Sequence, residues 1–131
     1  MLRGKIHRAT VTHADLDYEG SLTVPPELLH AADIRDYEAI SVWNVTEGTR
    51  FETYAISGES GSSDICVNGA AAHLTSPGDL IIIAAFVDIP ERKSRAHQPK
   101  LIFVDEKNRQ ITGSREIPGP KRPPKRSLGF S

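Results

Sequence analysis

The dipeptide Gly20-Ser21, inside Tyr18-Glu19-Gly20-Ser21, sets a hydroxyl directly after a carbonyl carried by the one residue type with no Cβ to restrict its backbone. That pairing suits attack of a side chain on its own main chain, although Gly and Ser together are also ordinary turn composition. Other groups have chemistry to offer. Arg50 carries a planar guanidinium that can hold a carboxylate through two parallel hydrogen bonds. Tyr54 follows with a phenol, and Lys5 and His7 stand close to the N-terminus. Taken singly, each has a plainer reading: an arginine on a strand is usually a solvated charge, Tyr54 and Trp43 are core or interface aromatics, and Lys5 beside His7 is an exposed face. His13, His30, His73 and His97 read as structural or exposed, and no spacing of Cys and His residues suggests a metal site.

The elements that must position these groups are short. Residues 2 to 12 alternate as a strand, with Lys5 and His7 on one face and Gly4 and Ile6 on the other. Ser21-Leu22-Thr23-Val24 reads as a strand stopped by Pro25-Pro26, and Pro26 suits the first turn of a short helix running to Ala32. Residues 39 to 45 and 50 to 56 form a hairpin about Thr46-Glu47-Gly48-Thr49, with Arg50, Glu52 and Tyr54 on one face of its second strand. Thr53 falls on the opposite face, so a bulge is needed if it is to share a pocket with Arg50 and Tyr54. Ile65-Cys66-Val67 is a strand leading into a tight Asn68-Gly69-Ala70-Ala71-Ala72 element. The run from Leu80 to Val87 is apolar on both faces and reads as the central buried strand. Residues 100 to 104 and 110 to 112 close the series as a strand pair. A mainly β, small closed barrel with short helices is the expected fold.

Composition limits the alternatives. The chain has 131 residues, enough for one domain, with 38% hydrophobic and 25% charged residues, as in an ordinary globular protein. Sixteen basic and 17 acidic residues give no global pull toward nucleic acid or membrane. The charge is uneven, however: residues 113 to 131 hold five basic residues against Glu116, a net +4, which leaves the body at −5 of the total −1. With four prolines and little apolar content, this segment is expected to be a disordered basic tail beyond a domain spanning residues 1–112. Cys66 is the only cysteine, so no intrachain disulfide can form, and a cytoplasmic location fits. The longest apolar stretch is far below a membrane span. Asn44-Val45-Thr46 matches a glycosylation sequon by type, with no secretory signal to make use of it.

Three separated stretches, LRGKIHRATVTHADLDYEGS, VWNVTEGTRFETYAI and VNGAAAHLTSPGDLIIIAAF, resemble the aspartate 1-decarboxylases of the pantothenate pathway in order and spacing. The resemblance covers roughly residues 2 to 87. It implies a double-psi β-barrel, a homotetramer, and decarboxylation of L-aspartate to β-alanine and carbon dioxide. Loss of carbon dioxide from an α-carbon leaves a carbanion that needs an electron sink. Pyridoxal phosphate would need a phosphate cradle, and no Gly-rich loop supplies one, so neither that cofactor nor a metal is expected. The resemblance implies a pyruvoyl group made from Ser21 by cleavage at Gly20-Ser21, giving chains 1–20 and 21–131, and Schiff-base chemistry with the substrate amine. It further implies Tyr54 as proton donor, Arg50 and Lys5 as substrate-carboxylate partners, and Gly69, Ala70, Ala71 and Ala72 as the segment approaching the ligand. Thr53 and Asn68 match processing positions able to donate to a developing oxyanion, and His7, Tyr18 and Trp43 match supporting ones. Whether an accessory maturation factor assists is left open. The alternative from another class is a non-catalytic barrel that binds an anionic ligand or partner through Lys5, His7, Arg50 and the tail.

Overall fold

The computed structural model describes residues 1–113 and 115–120 of the chain. Nine strands and two short helices follow one another: β1 (Leu2–Thr10), β2 (His13–Asp15), β3 (Ser21–Val24), α1 (Pro26–Ala31), β4 (Ala39–Asn44), β5 (Arg50–Ser57), β6 (Cys66–Asn68), β7 (Leu80–Phe86), α2 (Glu91–Ser94), β8 (Lys100–Val104) and β9 (Gln110–Ile111). A 3-10 turn, Gly69–Leu74, follows β6 directly. The strands hydrogen-bond in the order β2-β6-β3-β5-β4-β7-β1-β8-β9.

That order closes on itself. Only Val11 and Thr12 separate β1 from β2, yet the two strands stand six places apart. Six interstrand steps would span about 29 Å in a flat sheet, whereas the chain from Thr10 to His13 reaches at most about 10 Å. The sheet must therefore curl until its β2 edge meets the end of β1, and Thr12 and His13 both donate backbone N–H groups to the Ile65 carbonyl there. The inward positions fill the barrel: Ile6 from β1, Leu22 and Val24 from β3, Val42 from β4, Val67 from β6, and Ile81 and Ile83 from β7 are fully buried. Each such side chain contributes about 1.5–3 kcal/mol relative to exposure.

Helix α1 caps one side. Pro26 begins it after Pro25, and Leu28 and Leu29 face the core. Its C-terminal end lies so close to β1 that a Cβ on Gly4 would stand 1.8 Å from the Ala32 carbonyl oxygen, which explains the glycine.

Several expectations need adjustment. The first strand ends at Thr10 and carries an irregularity between Ile6 and Ala9, where Arg8 takes a φ of 65°. The three-residue β2 and four-residue α2 were not anticipated, because neither is long enough to show a period. Strand β7 lies between β4 and β1 but is not covered on both faces, since Ile82 is half-buried and Phe86 exposed. Asn44, the sequon residue, is buried, and its amide donates to the Asp79 carboxylate and the Leu74 carbonyl. Most of the expected tail, residues 114 and 121–131, lies outside the described residues. Within the described part of the tail, the Glu116 carboxylate pairs with the Lys5 ammonium.

Candidate active site

Period-two alternation assembles a cleft on the outside of the barrel. Leu22 and Val67 point inward, so Ser21, Thr23, Cys66 and Asn68 point outward from the antiparallel β3–β6 pair, with Ser21 opposite Asn68 and Thr23 opposite Cys66. Strand β5 joins β3 in parallel and adds Tyr54 and Ile56 to the same face. Tyr18 and Glu19, from the turn before β3, close the rim.

Ser21 is only 4% exposed in this cleft. The Asn68 side-chain amide donates to Ser21 Oγ at 3.2 Å and to Thr23 Oγ1 at 3.1 Å, so both its hydrogens are committed and its orientation is fixed. The Ser21 hydroxyl in turn points at the Glu19 carbonyl, 3.5 Å away. Gly20 lies against the turn that begins at Gly69, which has a φ of 73°. Tyr54 is half-buried, with its ring 6.1 Å from that of Tyr37. Beyond Gly69 the small residues diverge: Ala72 is buried, Ala71 partly so and Ala70 exposed.

Lys5, His7, Trp43 and Arg50 lie elsewhere. Arg50 is the exposed first residue of β5, paired across the ladder with Trp43, and the two line a shallow groove with Ile82. The Trp43 ring is 6.4 Å from Phe86. Lys5 is buried beside Glu116. His7 packs edge-on against Phe103, 5.2 Å between ring centres, and its Nδ1 has no partner among the described residues. Burial, reinforced by the Lys5 and Arg8 charges and opposed by Glu116, holds the His7 imidazole below its ordinary pKa. Thr53 stands opposite Ile40, on the other face from Tyr54. No bulge intervenes, for β4 and β5 pair without interruption from Ala39–Tyr54 to Trp43–Arg50.

The cleft also contains residues that the sequence reading did not single out. Thr23 and Cys66 are each two positions from a recognised residue, Ser21 and Asn68, and the strand period alone would have placed them beside it. Burial and the nearby Asp64 charge raise the Cys66 pKa, so the thiol stays protonated at neutral pH and is a poor nucleophile. Ser21 is the better-placed one.

Residues 1–111 match the aspartate decarboxylase family. This chain belongs to that family. An aspartate 1-decarboxylase of Legionella pneumophila strain Lens is 68% identical over 109 residues, covering 83% of this chain and 82% of its own. One from Myxococcus xanthus is 56% identical over 123 residues, covering 93% and 95%, and one from Rhodopirellula baltica 61% identical over 120, covering 92% and 77%. A rationally designed protein of known structure aligns with a TM-score of 0.45 at 10% identity, over 63% of this chain and 95% of its own. The small, mainly β closed barrel anticipated from the strand pattern is what the described strands form. In this aspartate decarboxylase family member, Ser21 is the first residue of β3, Gly20 immediately precedes it, and the Asn68 amide donates to the Ser21 hydroxyl.

Proposed function

We propose that the chain is made as a proenzyme that cuts itself between Gly20 and Ser21 and then decarboxylates L-aspartate to β-alanine and carbon dioxide, supplying pantothenate and coenzyme A synthesis. The observation that carries this reading is the buried Ser21 hydroxyl, held by Asn68 immediately beyond the Gly20 carbonyl in a cleft shared with Tyr54.

In the cut, Ser21 Oγ attacks the Gly20 carbonyl carbon. An O–C bond forms, the C–N bond breaks, and the hydroxyl proton passes to the freed Ser21 amine. Loss of the Ser21 Cα proton then expels the Gly20 carboxylate, which ends the 1–20 chain, and leaves dehydroalanine. Tautomerisation and addition of water release ammonia and leave a pyruvoyl group at the head of the 21–131 chain. The surroundings fit that group, because the Asn68 amide that now donates to a hydroxyl oxygen can equally donate to a carbonyl oxygen. Such a group captures an amine and takes up the electron pair left by departing carbon dioxide.

The chain's own residues have separate tasks. Arg50 and Lys5 hold the substrate carboxylates, and Tyr54 delivers the proton that completes β-alanine. Asn68 fixes the Ser21 position and, with Thr53, aids processing. His7, Tyr18 and Trp43 shape the pocket, and the segment Gly69 to Ala72 brings small groups and backbone against the ligand.

One protomer does not gather all of these. The Cα atoms of Arg50 and Tyr54 lie on one face of β5 about 13 Å apart along it, and Arg50 lines a different groove from the cleft that holds Ser21 and Tyr54. A neighbouring copy in a cytoplasmic homotetramer supplies Lys5, His7, Trp43 and Arg50 to the Ser21 cleft, and the outward, partly apolar groove that Trp43 and Arg50 form with Ile82, near the exposed Phe86, supports this assembly.

Mass measurement under denaturing conditions tests the reading. The parent should yield two fragments divided before Ser21, the larger blocked to N-terminal sequencing, and Ser21→Ala should remain one inactive chain. Aspartate decarboxylation by Ser21→Ala would overturn it.

A further inference from the structure

Gly69 is the only described glycine at positive φ whose missing side chain is a point of contact. At Gly48, Gly61, Gly78 and Gly113, with φ between 79° and 97°, a Cβ would meet nothing within 4 Å. At Gly69, φ 73°, it would stand 2.7 Å from both the Cα and the nitrogen of Gly20 and 2.9 Å from the Tyr18 carbonyl oxygen. Every one of these atoms is backbone, so no rotamer change can relieve the contact. Gly20 itself faces open space in the direction of its own absent Cβ. The crowding therefore comes from the Gly69 side alone.

We propose that Gly69 is a positioning residue for self-cleavage: the space left by its missing side chain is where the Gly20 backbone stands while Ser21 attacks. This rests on the cleavage reading above and adds a role that substrate contact by the same segment does not require. Neighbouring residues would thus grip both sides of the scissile link. Asn68 holds the nucleophilic oxygen of Ser21 through its side chain. Gly69, next along, admits the residue that carries the carbonyl. A methyl group at 69 would push the Tyr18–Gly20 segment back by about 0.7 Å to reach ordinary contact, while Ser21 stays fixed in the β3 ladder opposite Asn68. Displacing one reactant and not the other is the most damaging change for an intramolecular attack, in which an error of 1 Å can cost about 10²-fold.

The test compares glycines with the same backbone requirement. Gly69→Ala and Gly48→Ala both force an alanine into the left-handed region that L residues with a Cβ resist, but only the first meets Gly20. Freshly made protein is incubated, the cleaved fraction is followed by denaturing mass, and melting temperature is recorded alongside. Gly69→Ala should cleave at least ~10-fold more slowly than the parent, and Gly48→Ala at the parental rate with a comparable melting loss. Gly69→Asn serves if the alanine variant does not fold, since asparagine tolerates positive φ yet keeps the obstructing Cβ; it should be slow as well. Cleavage of the folded Gly69 variants within twofold of the parent, or equal slowing in Gly48→Ala, overturns the assignment. A parent that stays whole overturns the cleavage reading instead, and this proposal with it.

Discussion

Tyr54 and Arg50 project from one face of β5, but the tasks proposed for them separate in kinetics. If Arg50 holds the substrate carboxylate as proposed, Arg50→Ala removes a charge-assisted clamp that also orients the bond to be broken, so the Michaelis constant for aspartate should rise steeply and added salt should not restore it. Tyr54→Phe keeps the ring and loses the hydroxyl, so turnover should fall by about 10²-fold with little change in Michaelis constant. Both variants must first be confirmed as cut at Gly20-Ser21 by mass, and parental turnover by processed Tyr54→Phe would remove Tyr54 from the role of acid. At this scale the sequence was legible wherever alternation was regular. It placed Arg50, Glu52 and Tyr54 together and Thr53 opposite, and β5 is arranged that way. What alternation could not convey was a partner from far along the chain: nothing near Lys5 announces Glu116, because that contact joins positions 111 residues apart.

Among the elements, β1 is held on both sides, standing antiparallel to β7 on one and parallel to β8 on the other. Helix α1 presses on it at Gly4, where an added methyl would collide with the Ala32 carbonyl. Gly4→Ala should therefore destabilise the barrel by about 1–3 kcal/mol. The expected readout is a melting temperature several degrees lower, at roughly 2–8 °C per kcal/mol. An unchanged melting temperature would mean that α1 shifts without cost. The β4–β5 hairpin was readable because two alternating runs flank a short polar turn, and α1 because Pro25-Pro26 marks its start. The 3-10 turn after β6 was anticipated only as something tight, since small residues indicate close approach without saying to what. Strand β2 has three residues, and pairing with β6 alone defines it.

For the whole molecule, a barrel was foreseeable from many short strands, but its closure rests on β1 and β2 being nearly continuous yet far apart in strand order, a relation no local pattern contains. Assembly makes a prediction of its own. If neighbouring copies complete each site, Ser21→Ala alone should be inactive and processed Arg50→Ala alone nearly so at low aspartate, yet the two should recover activity when dissociated and reassembled together, because one interface then pairs an intact Arg50 with a pyruvoyl-bearing cleft. Mixtures no more active than their components would confine the site to one protomer. A different consequence follows from where β1 lies. It fills the gap between β7 and β8 and contributes Ile6 and Ala9 to the core, yet it precedes the proposed cleavage point. If the chain is cut as proposed, the instructions for the barrel reside first in one covalent chain and afterward are divided between a peptide of 20 residues and its complement, held by ladders and packing alone. Folding must come first, while the two parts are still tethered at high effective concentration. A molecule matured in that way that melts and is diluted would have lost that tether, so the enzyme would acquire hysteresis: its active form would be reached from the precursor more readily than regained from its own pieces.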